Sequence, residues 1–99
     1  MIKLRINPLV VADLLEIRNF IAEDNVENAT KILNELYEKF EDLQHFPYIG
    51  ADLSKRVKFR TEYKYLPWKE YVIIYKVGKE YIEIYRVINR YQDFTVIFD

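Results

Sequence analysis

Residues Tyr71–Phe94 read YVIIYKVGKEYIEIYRVINRYQDF, two runs of aromatic and β-branched residues hinged on Gly78-Lys79-Glu80. Such residues suit a pleated, half-buried surface, and a glycine-containing break of this length closes a hairpin. YVIIYKV is a near-continuous apolar strand and YIEIYRVIN its antiparallel partner. Arg86 is the exception, because period-2 alternation puts it in phase with Ile82, Ile84 and Ile88. The partner strand then ends in the polar series Asn89, Arg90 and Tyr91.

Upstream, Val57, Phe59, Thr61, Tyr63 and Tyr65 alternate with Lys58, Arg60, Glu62 and Lys64, which predicts a strand over 57–65 with one basic row. LPWKE is read as the turn into Tyr71, with Trp68 exposed there as an interface anchor. ADLSK is read as an exposed loop, and HFPYIG as the end of a helix at Pro47 and Gly50. That helix carries Ala29, Leu33, Leu36, Phe40 and Leu43 on one stripe with Ile32 beside it, and Asp24 with Glu27 forms an acidic capping box at its start. An earlier helix opens at Asn7-Pro8 and repeats Val10, Leu14, Ile17 and Ile21, following a strand IKLRIN of alternating polarity. The expected fold is α+β: an N-terminal strand, an antiparallel two-helix hairpin, and a three-stranded antiparallel meander in one sheet. The helices cover one sheet face and leave the other for a partner. The apolar TVIF, Thr95–Phe98, either adds a short C-terminal edge strand or awaits a partner.

The 99 residues make a single domain over 1–99, with 51% hydrophobic residues and only two glycines and three prolines, so the chain folds around one modest core. Charged residues form 31% but nearly cancel to a net charge of -1, so any phosphate contact must come from local clustering. Without cysteine there is no disulfide, thiolate nucleophile or thiolate metal site, and a lone His45 gives no metal-ligand spacing. No cofactor is expected. The opening MIKLRINPL lacks a continuous apolar core and no run approaches membrane-spanning length, from which a cytoplasmic protein is expected.

The order of elements resembles the RelE/ParE superfamily, the toxins of type II toxin–antitoxin modules. It does so through the series P..V.DL.EI..FIA, A..IL..L...F..L..FP..G, YVIIYKV and IEIYRVINRYQDF, over roughly Ile6 to Asp93. The resemblance implies a small toxin that arrests growth and is held inactive, in a hetero-oligomer, by a cognate antitoxin whose extended tail wraps around it. Such a domain offers a groove for a helix and an edge for a strand.

One branch of the superfamily enters the ribosomal A site and cuts messenger RNA. Another poisons DNA gyrase without nuclease chemistry. For the first, the activity expected of this chain with gyrase poisoning as the alternative, the resemblance implies Arg86 as the phosphate or transition-state ligand, Arg60 as a catalytic cation, and Arg90 and Tyr91 as a second cation and a general acid. Lys58, Lys64, Arg90 and Asn89 would then meet RNA or another target. The chain departs from that branch where many relatives carry histidine, since Asn89 transfers no proton at neutral pH, and at Gln92, which stands for an arginine. Arg60 stands two residues from the arginine that would align near Glu62. Each residue also has a plainer reading: Arg86 as a structural arginine paired with a carboxylate, and Lys58, Arg60 and Lys64 as a solvated face. A third reading is a non-toxic remnant that keeps only its antitoxin.

Overall fold

The computed structural model describes residues 2–98; the ends of the expected domain, Met1 and Asp99, lie outside them. The elements are β1 (Lys3–Ile6), α1 (Pro8–Ala22), α2 (Val26–His45), β2 (Ala51–Asp52), α3 (Ser54–Val57), β3 (Lys64–Trp68), β4 (Tyr71–Val77), β5 (Tyr81–Asn89) and a final 3-10 helix, Phe94–Phe98. One mixed sheet has the order β1-β5-β4-β3-β2, in which β1 runs parallel to β5 and the other pairs are antiparallel. The α+β architecture expected from the sequence is therefore present, with β2 as an additional two-residue strand.

Local chemistry sets the helix starts. The Asn7 side chain accepts the Leu9 N–H at 2.9 Å and Pro8 occupies the first turn. α2 is capped by Asn25, whose side chain accepts the Asn28 N–H at 3.0 Å, and not by Asp24 as the capping-box pattern suggested. The hairpin lays Val10, Leu14 and Ile17 of α1 and Ile32, Leu36, Phe40 and Leu43 of α2 against Ile73, Tyr75, Ile82, Ile84 and Val87. Each fully buried side chain here, such as Leu36 or Phe40, contributes about 1.5–3 kcal/mol of transfer free energy. The buried Tyr75 ring keeps its hydroxyl satisfied: it donates to the Pro47 carbonyl at 2.9 Å and accepts the Gly50 N–H at 2.8 Å. A Cβ on Gly50 would fall 2.4 Å from that hydroxyl oxygen, which is why this close approach takes a glycine.

The opposite sheet face is not free. Val72, Ile74 and Ile88 are covered by Leu53 and Val57 from the α3 region and by Phe94 and Ile97 from the 3-10 helix. A strand that is apolar on both faces demands cover on both, and this chain supplies its own. TVIF is therefore neither an edge strand nor an unoccupied end: it is a 3-10 helix packed on the sheet. ADLSK, likewise, is β2 and the start of α3 around a fully buried Leu53.

The basic strand expected over 57–65 does not form. Val57 closes α3, Lys58 turns left-handed at φ 62°, and the strand begins only at Lys64. It then runs through Pro67 to Trp68, and the turn is confined to Lys69-Glu70. Trp68 and Tyr71 close that hairpin, so Pro67, one residue in and beyond the reach of β2, needs no donor toward a neighbouring strand. Trp68 is half-buried and packs against the helix-side core, not exposed in a turn.

Candidate functional site

The Arg86 region is shaped by two irregularities. The β4–β5 register slips between Ile74, which faces Arg86, and Tyr75, which faces Ile84, so Tyr85 is the extra residue of a bulge. The slip reverses the phase of β5: Ile82 and Ile84 face the helices, whereas Ile88 faces the second core. Arg86 therefore does not share a face with Ile82 and Ile84, as uninterrupted alternation required. The second irregularity is that β1 ends opposite Ile84, which leaves the last half of β5 without a strand on that side.

Asp13 of α1 fills the place. Its Oδ2 accepts the Val87 backbone N–H at 3.0 Å and the Arg86 Nε at 2.8 Å, while Oδ1 accepts Nη2 at 2.9 Å. This bidentate pair is largely withdrawn from solvent, with side-chain exposures of 23% for Arg86 and 10% for Asp13. The hydrogen bond donated to Asp13, ahead of the opposing desolvation, raises the Arg86 pKa above its ordinary value, so the guanidinium stays charged and engaged. The pair forms the floor of a cleft of about 360 Å³ between α1 and the ends of β4 and β5, whose rim includes Glu16, Phe20, Glu70, Tyr71, Asn89 and Gln92. Three carboxylates, those of Asp13, Glu16 and Glu70, accompany the single cation. The cleft suits a cationic or apolar protein side chain better than a phosphate.

Of the other residues singled out from sequence, Asn89 and Gln92 line the cleft and the rest do not gather around it. The Arg90 guanidinium donates to the Lys69 carbonyl at 2.8 Å and its backbone N–H to Glu70 O at 2.8 Å, which clamps the β3–β4 turn to the end of β5. Asn89 lines the cleft and its side chain accepts the Tyr91 N–H at 2.9 Å, leaving the Tyr91 ring 81% exposed. Lys58 and Arg60 line a separate shallow depression beyond α3, and Lys64, at the start of β3, holds its Nζ 5.7 Å from the centre of the Tyr48 ring. Asp13 was the partner that sequence reading left unnamed. The signal was present, since an acid on the same stripe as Val10, Leu14 and Ile17 must find a donor when that stripe is buried. Among the described residues, no helix is long and apolar enough to cross a membrane.

The fold is thus a helical hairpin on a mixed sheet, with a cleft lined by carboxylates and apolar side chains at the end of its longest strand. A family model described as the ParE toxin of type II toxin-antitoxin system, parDE, matches residues 4–94, and the chain belongs to that family. Among solved structures it is similar to the chromosomal ParDE TA system from P. aeruginosa. The TM-score is 0.73 and the identity 22%, over 90% of this chain and 96% of that one, a likeness of fold. No curated protein matches the chain.

Proposed function

We propose that this toxin-family protein arrests growth by binding a protein target, DNA gyrase, without cutting RNA, and that a cognate antitoxin neutralises it. The observation that carries the reading is the Asp13–Arg86 pair. RNA cleavage requires a cation free to stabilise a pentacovalent phosphate and a nearby group to move protons. Here the strand arginine is held by a carboxylate at two points, Tyr91 is 81% exposed and does not line the cleft, and Arg60 borders a different depression.

A binding role is supported by α1, which is apolar on its outer side as well as its inner one. Leu9, Val11, Leu15 and Phe20 are all exposed, where a solvated helix would carry charge. Phe20, which lines the cleft, suits the apolar face of an antitoxin or target there.

The test sets purified gyrase and a cell-free translation reaction side by side. Supercoiling is expected to fall, with cleaved DNA accumulating, while message in the translating reaction stays intact. New 5' ends on translated message, with gyrase unaffected at high toxin excess, would overturn the reading in favour of ribosome-dependent cleavage.

A further inference from the structure

The stretch from Ala51 to Lys64 holds five cations, Lys55, Arg56, Lys58, Arg60 and Lys64, against two carboxylates, in a chain whose net charge is -1. Both carboxylates are already engaged. Asp52 accepts the Ser54 N–H at 2.9 Å, and Glu62 pairs with Lys76 at 3.3 Å. Among the described residues, none of the five cations has a carboxylate within ion-pair distance. The segment is also fixed in shape. Leu53 and Val57 anchor α3 in the second core, and Ser54 Oγ closes the following loop by accepting the Thr61 N–H at 2.9 Å and donating to the Thr61 carbonyl at 3.1 Å. Arg56 lies over the Phe94 ring, with 4.6 Å between guanidinium carbon and ring centre, and Phe59 stands exposed, edge-on to Phe98 at 5.2 Å.

We infer that the loop carried by α3 is a binding surface for the phosphate backbone of a nucleic acid, with Lys55, Lys58 and Arg60 on phosphates and Phe59 placed to stack on a base. Free cations on a rigid arch, with an aromatic ring among them, are what backbone binding and base stacking use. An acidic protein segment would bring apolar residues to bury, and this patch offers only the Phe59–Phe98 pair for them. The rest of the chain carries an excess of carboxylates and repels phosphate, so binding would be confined to this one side. The surface is separate from the Asp13–Arg86 cleft and does not depend on the identity of the toxin's target.

The test is fluorescence anisotropy of the full chain with a labelled DNA duplex and with a labelled single-stranded RNA, between about 50 and about 200 mM salt. Binding to either, with log affinity falling against log salt at a slope of about -2.7 for the duplex or about -2 for the single strand, is expected; whichever nucleic acid binds more tightly names the source of the phosphates. The variant Lys55→Gln/Lys58→Gln/Arg60→Gln should lose at least about tenfold in affinity and most of the slope. A control, Lys3→Gln/Lys31→Gln/Lys79→Gln, removes three exposed cations elsewhere and should bind like the parent, with thermal melting showing both variants folded. The inference is overturned if neither nucleic acid binds at low salt, if both variants weaken equally, or if polyglutamate binds more tightly than either nucleic acid.

Discussion

Asp13 stabilises the fold by being an acid in an apolar stripe. Its carboxylate is the acceptor for Arg86 and for the Val87 N–H, so Asp13→Ala leaves a guanidinium and a backbone donor without partners at once. The expected cost is about 3–4 kcal/mol, measured as a drop in the urea midpoint at unchanged m. Arg86→Met should cost a comparable amount, because the carboxylate keeps the Val87 N–H but is the more buried partner and loses its cation. Combining Arg86→Met with Asp13→Ala should cost less than the sum of the two, which a double-mutant cycle reads directly. The pair also bounds what the sequence could tell about the site. That Arg86 needed a carboxylate was readable from its place among isoleucines. Which carboxylate was not, because the bulge at Tyr85 and the early end of β1 are three-dimensional facts that redirect the arginine toward α1.

Elements identified by long periodic patterns, α1, α2, β4 and β5, stand where their sequence put them, since a stripe of four or five apolar residues admits one solution. The region between α2 and β4 was illegible for the opposite reason. Val57, Phe59, Thr61, Tyr63 and Tyr65 alternate as a strand would, yet Val57 anchors a helical turn and Tyr63 packs beside the second core by way of a loop. Short apolar alternation does not distinguish these when tertiary anchors such as Leu53 decide the path. Lys58 marks the point of divergence, being left-handed at φ 62° where lysine has a Cβ to accommodate. Left-handed geometry costs an L-residue about 1–2 kcal/mol, which glycine escapes at the expense of more backbone entropy lost on folding, so Lys58→Gly should stabilise the protein by about 0.5–1 kcal/mol. The same substitution removes one cation, so a few degrees' rise in Tm should accompany weaker nucleic-acid binding. A fall in Tm would refute the strain assignment, and unchanged affinity would count against Lys58 as a phosphate contact.

Across the whole molecule, two cores share one sheet, with Tyr75 inside the first and Tyr63 and Tyr71 at their margins. Burial raises the pKa of Tyr63, Tyr71 and Tyr75 above the ordinary 10.0, with repulsion from Tyr85 and nearby acids adding to Tyr63. Below pH 10 these phenols are protonated in both folded and unfolded chains, and their contribution is fully present. Above it the unfolded chain ionises first, so stability should fall as pH rises through the folded-state values. Urea midpoints at about pH 9 and about pH 11 would show the fall, and Tyr75→Phe should flatten it while lowering stability at neutral pH by about 1–2 kcal/mol for the lost hydroxyl bonds. A flat profile from pH 9 to 11 in the parent would refute the assignment. The parallel pairing of β1 with β5 has a consequence in time. Lys3 finds its register opposite Tyr81 and Ile6 opposite Ile84, so the first strand to be synthesised is among the last to be paired. Contacts so far apart in the chain form slowly, and these cannot form before β5 has been translated and has left the ribosome. A nascent copy accordingly holds β1 unpaired until β5 has emerged.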